Sequence, residues 1–116
     1  NDYIEGARPP VETLRRAGVR IALGTDSLSS NETLSIVEEL KMLRSVPLDE
    51  ALRWATLGGA EALGIDSWAG SFVPGKRPGA VLLGGIDFRT TTLRDAAFSD
   101  EKHTAETLPR DPALFP

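Results

Sequence analysis

Apolar and polar positions alternate along this chain with two different periods, and the period changes part-way. Pro9 and Pro10 suit the first turn of a helix; Val11, Leu14 and Ala17 follow at helical spacing, and Gly18 supplies a stop, which predicts a helix over residues 9–17. In Val19-Arg20-Ile21-Ala22-Leu23 the period falls to two, which predicts a short buried strand with Val19, Ile21 and Leu23 on one face. Gly24-Thr25-Asp26-Ser27 leaves that strand. Ser29 with Glu32 makes a capping box, Asn31 is a rival cap, and a stripe of Ile36, Val37, Leu40 and Leu43 predicts a helix over residues 32–45 with Glu38, Glu39, Lys41 and Arg44 toward water. After Pro47, the positions Leu48, Ala51, Leu52 and Ala55 mark another amphipathic helix. Asp49 and Glu50 lie near its positive end, Gly58-Gly59 is expected to interrupt it, and Gly64 to end the short turn that follows.

From Gly70 onward the helical spacing is lost. Ser71-Phe72-Val73 and Ala80-Val81-Leu82-Leu83 predict two short strands around the turn-rich Pro74-Gly75-Lys76-Arg77-Pro78-Gly79. Thr90 to Leu93 is a candidate third strand. The tail from Asp100 to Pro116 carries three prolines and no periodic apolar face, so it is expected to be extended. These shifts divide the chain into residues 1–65, strand and helices, and residues 66–116, strands of a small sheet and an extended tail. No internal repeat or low-complexity tract is present.

Composition narrows the class. At 116 residues, with 41% hydrophobic and 26% charged positions, the chain has the make-up of a globular domain. Thirteen Lys and Arg against seventeen Asp and Glu, with no basic run, argue against nucleic acid as a partner. No apolar stretch approaches the roughly 20 residues that span a bilayer, so no membrane is expected. The absence of cysteine removes any dependence on disulfides and fits a cytoplasmic location.

Asp26 is the one position where spacing points to chemistry. It stands just beyond the carboxyl end of the predicted strand and before a helix, where barrel enzymes gather their active sites. Ala22, Gly24 and Asp26 share parity, so small residues would leave room beneath a carboxylate. On local pattern alone, a helix-capping or turn-forming aspartate is the favoured reading. The single histidine, His103, lies in the polar tail beside Lys102, and no histidine pair at metal-binding spacing exists. Gly58-Gly59 and Gly84-Gly85 lack the phosphate-cradling patterns, and Trp54 and Trp68 read as packing residues.

The run Leu23-Gly24-Thr25-Asp26-Ser27-Leu28-Ser29-Ser30-Asn31 with Leu34-Ser35-Ile36-Val37-Glu38-Glu39-Leu40 resembles the last barrel strand and helix of metal-dependent amidohydrolases. The resemblance is to the branch holding purine and heterocycle deaminases, aminofutalosine deaminase-like proteins among them, and triazine chlorohydrolases. Two further segments agree in order. The stretch from Ala51 through Gly64 resembles the helix pair after the barrel, and that from Gly70 through Leu83 resembles the return to the family's small sheet. Pro78-Gly79-Ala80 departs from the Ala-Asp-Leu of many relatives at the strand entry.

This resemblance implies an α/β fold: the carboxyl-terminal part of a TIM (β/α)8 barrel followed by strands of a small β-sandwich domain. It implies that Asp26 binds the catalytic metal, zinc or another divalent ion, and handles the proton of the attacking water. The family's histidines and proton-shuttling glutamate have no counterparts in this sequence. The implied activity is therefore hydrolytic deamination of a small heterocyclic substrate by a longer protein, with this segment inactive alone and unable to hold metal tightly. The missing walls are expected from an amino-terminal barrel segment, a second chain or a homo-oligomer. The alternative is a non-catalytic structural or assembly module derived from the barrel.

Overall fold

The computed structural model describes residues 10–26, 35–87, 89–99 and 104–108. The elements run α1 (Val11–Arg16), α2 (Ile36–Lys41), α3 (Leu48–Ala55), α4 (Leu57–Ala62), β1 (Ala80–Gly84), α5 (Leu93–Phe98) and β2 (Thr104–Leu108). This is a mixed α/β piece with one two-stranded sheet. Among the described residues, no helix is long and apolar enough to cross a membrane.

α1 begins after Pro10, whose carbonyl accepts from the Leu14 N–H at 3.0 Å. It closes at Gly18, where a φ of +69° takes the chain out of the helix at no steric cost. Residues 19–26 then run as an irregular segment, not the expected strand. The alternation survives in part, since Ile21, Leu23 and Thr25 are half-buried while Arg20, Ala22, Gly24 and Asp26 are exposed, but Val19 is 51% exposed and not buried. The physical reason is that a strand exists through its ladder, and no described strand lies beside this segment. Backbone bonds tie it to helices instead: the Val19 N–H donates to the Leu14 carbonyl at 3.2 Å and the Leu23 N–H to the Trp54 carbonyl at 3.0 Å.

α2 is shorter than the expected 32–45, and the capping expectation at Ser29 or Asn31 lies outside the described residues. Its carboxyl end tightens into three-residue turns, with Met42, Leu43 and Val46 N–H groups donating to Glu39, Leu40 and Leu43 carbonyls at 3.1, 3.0 and 2.9 Å. Leu40 and Leu43 are buried as their spacing requires. Lys41 was expected to face water and does not. It is 6% exposed, its aliphatic stem covered and its ammonium donating to Glu38 Oε1 at 2.8 Å.

α3 follows Pro47 as expected, with Ala51 and Trp54 turned inward. The break before α4 falls at Thr56 (φ −130°, ψ −88°), not at Gly58-Gly59, which lie inside α4. Gly64 ends α4 with φ +69°.

Beyond α4 two expectations fail and two hold. Ser71-Phe72-Val73 is not a strand; Phe72 is 73% exposed and the Lys76 N–H closes a turn onto the Val73 carbonyl at 3.1 Å. Thr90 to Leu93 is also not a strand but the approach to α5. There the Thr92 hydroxyl accepts from the Asp95 N–H at 3.1 Å and donates to its carboxylate at 2.8 Å, a side-chain cap that outweighs the β preference of three threonines. β1 forms where expected. Part of the tail is extended as expected and pairs antiparallel with β1, Ala80 opposite Leu108 and Gly84 opposite Thr104.

One core joins the helices. Leu40, Leu43, Val46, Ala51, Trp54 and Phe98 form it, with Val11, Ile21, Leu23, Leu48 and Ala55 packed around. Phe98 brings α5 against α2, and Arg94 locks that contact: its guanidinium donates to the Arg44 carbonyl at 2.8 Å and lies 4.9 Å from the Phe98 ring centroid.

Candidate functional site

Asp26 stands at the open end of the 19–26 segment. Its φ of +57° makes it the sole non-glycine residue with positive φ among the described residues. Aspartate tolerates this left-handed region better than most residues, because its short polar side chain can bond locally. Since Ser35 holds the N-cap position of α2, Asp26 does not cap that helix. Ala22, Gly24 and Asp26 share the exposed side of the segment, while Ile21 and Leu23 pack on the core.

The segment is held from behind by the α3–α4 junction. The chain turns at Thr56, whose hydroxyl donates to the Leu52 carbonyl at 2.7 Å, and this break leaves the Trp54 carbonyl to accept from Leu23. Gly58 then meets the segment so closely that a Cβ there would lie 2.6 Å from the Ile21 carbonyl oxygen. Sequence reasoning assigned Gly58 to a chain break and Trp54 to packing, and missed that both touch the stretch carrying Asp26. The available signal was a glycine inside a helical pattern, which often marks close approach of another backbone.

Ion pairs brace the same helices. Arg15 of α1 grips Glu50 of α3 through two bonds of 2.6 Å each, which holds the Glu50 carboxyl below the usual carboxylate range and raises the Arg15 guanidinium. Arg53 reaches across the Thr56 break to Glu61 at 2.9 and 3.1 Å. A hollow of about 80 Å³ beside Arg20, Ala22, Gly58 and Glu61 is far too small for a nucleoside. A larger, polar hollow of about 450 Å³ beside Asp87, Thr91 and Asp95 contains no expected site residue, and Asp87 is engaged by Arg89, which lowers its pKa.

Among the described residues, no three His, Asp or Glu side chains come together as a metal site. His103 lies outside the described residues. Asp26 is thus an exposed residue at the end of a segment whose residues 21–23 are seated against the α3–α4 junction.

The sequence model of the amidohydrolase family matches residues 1–108, and the chain belongs to that family. Among curated proteins it is similar to a 5-methylthioadenosine/S-adenosylhomocysteine deaminase of Halobacterium salinarum, 45% identical over 78 residues, which cover 58% of this chain and 18% of that protein. A protein of the same name from Moorella thermoacetica is 36% identical over 85 residues, 64% of this chain and 20% of that one. A 5'-deoxyadenosine deaminase of Methanothermobacter thermautotrophicus is 40% identical over 85 residues, 64% of this chain and 19% of that protein. The chain spans about a fifth of the length of these relatives. No solved structure gives a significant match.

The family is generally metal-dependent, but the described residues of this chain do not by themselves fit a metal: a catalytic zinc takes about three protein ligands, and Asp26 offers one carboxylate.

Proposed function

We propose that this chain is the carboxyl-terminal portion of a hydrolytic deaminase acting on an adenine-bearing nucleoside or a related amino-heterocycle. The observation that carries the reading is the match to relatives named as deaminases of 5-methylthioadenosine, S-adenosylhomocysteine and 5'-deoxyadenosine, beside a family match over residues 1–108 that includes Asp26. In such a reaction water adds at the ring carbon bearing the amino group, the C–N bond breaks and ammonia leaves. In the complete enzyme Asp26 would be one ligand of a divalent metal, zinc by resemblance, and its carboxylate would take up a proton from the attacking water. The remaining ligands come from outside this chain. Residues 19–23, irregular in this chain, take the place of the last strand when the rest of a TIM barrel is present, and β1 and β2 belong to a small β-sandwich, with residue 65 near the boundary. A cytoplasmic location belongs to the same reading.

The test joins this chain to its amino-terminal barrel segment and measures ammonia release from 5'-deoxyadenosine. Asp26→Asn keeps the shape but removes the ionised oxygen, and kcat should fall at least about 100-fold. Unchanged turnover in that variant removes Asp26 from the chemistry.

One observation favours a second reading, a non-catalytic assembly module: the helices enclose a core of their own, including Phe98 from the second half of the chain. The gene decides between the two. An upstream reading frame without a His-x-His strand sinks the enzyme.

A further inference from the structure

Gly58 lies inside α4, where glycine is a poor helix former, and it has no positive φ to account for it. Space accounts for it. A Cβ at this position would stand 2.6 Å from the Ile21 carbonyl oxygen, 3.3 Å from the Arg53 carbonyl oxygen and 3.7 Å from the Ala22 Cα, all of them backbone atoms that cannot swing aside as a side-chain tip can. Its neighbour Gly59, in the same helix, would meet nothing within 4 Å. The same junction supplies the second hold on the segment, the 3.0 Å bond from the Leu23 N–H to the Trp54 carbonyl.

We propose that Gly58 is a positioning residue for Asp26: its bare backbone lets residues 21–22 seat against the α3–α4 junction, and that seat sets the depth and direction in which the segment delivers the Asp26 carboxylate. An alanine there must push the Ile21 carbonyl outward, and the displacement travels along the short stretch through Leu23 to Asp26. The meaning of this for catalysis rests on Asp26 being a site residue, as proposed above.

Nuclear magnetic resonance on the 116-residue chain tests the contact without any turnover. In the wild type, the Leu23 amide should be protected from hydrogen exchange to within about tenfold of the Ala51 amide, which donates to Pro47 inside α3. In Gly58→Ala, Leu23 protection should fall by at least about tenfold while Ala51 keeps its own. The Asp26 amide and Cα shifts, which report its left-handed φ, should move in the same variant. Gly59→Ala should change neither. A Gly58→Ala variant that melts earlier yet keeps Leu23 protection and Asp26 shifts at wild-type values has lost only helix packing, and the proposal is overturned. Where Gly58→Ala does not fold, the wild type decides: a protected Leu23 amide upholds the seat, and one exchanging as freely as that of Gly24 overturns it. Loss of the deaminase reading, with Leu23 and Asp26 still responding, would leave the contact standing and strip it of its catalytic meaning.

Discussion

The helical layer and the extended segments of this chain are built to different degrees of completeness. α2, α3 and α5 bury Leu40, Leu43, Ala51, Trp54 and Phe98 against one another, and Arg94 ties the corner shut. The 19–26 segment and the β1–β2 ribbon leave apolar side chains in the open: Val81 and Leu82, on opposite faces of β1, are 57% and 55% exposed. A helix satisfies its backbone within itself and needs neighbours for one face only, whereas a strand needs partners on two edges and two faces. The difference teaches which parts of the fold are self-sufficient here and which are shaped for neighbours, and the candidate site lies in the second kind.

The contrast can be broken or sharpened by substitution, beginning where the effect is largest. Trp54→Ala empties part of the helical core and should cost about 3–5 kcal/mol in a denaturant melt, a large share of the roughly 5–15 kcal/mol that holds a domain together. Arg94→Ala removes both the carbonyl bonds at the end of α2 and the stacked cation, and should cost about 1–2 kcal/mol by the same measurement. The Arg15–Glu50 pair sets a pH dependence. The Glu50 carboxyl is held below its ordinary pKa by Arg15, so its contribution is present above the ordinary glutamate range and is lost as pH falls through the lowered value. The acid limb of thermal stability should therefore be shallower in Glu50→Gln than in the wild type, and the two should converge at the lowest pH. Val81→Ser, on the exposed ribbon, should change stability by no more than about 0.5 kcal/mol. A larger loss would mean that this face is covered in solution.

How much of this was legible in the sequence follows the same division. α3 could be read from Leu48, Ala51 and Ala55 behind Pro47, and the stop at Gly64 from its lack of a side chain, because both depend on local spacing. The break at Thr56 could not, since it is fixed by where the Trp54 carbonyl and Gly58 meet residues 21–23, contacts more than 30 positions distant in the chain. Thr92-x-x-Asp95 did carry a cap signal, masked by the β preference of Thr90 to Thr92. Lys41 escaped because periodicity treats a lysine as polar throughout, although its stem is long enough to line a core. As for Asp26, local pattern favours a helix cap or turn, and only the family resemblance points to a metal ligand instead. Spacing within one segment says nothing of what a site would bring beside it from elsewhere.

The most direct test measures the metal content of the purified 116-residue chain together with its mass in solution. On the proposed reading the chain carries one carboxylate of a site whose other ligands come from outside it, so metal should stay well below one ion per chain, whatever zinc is supplied during purification. A monomer retaining one zinc through dialysis against a mild chelator would contradict that account.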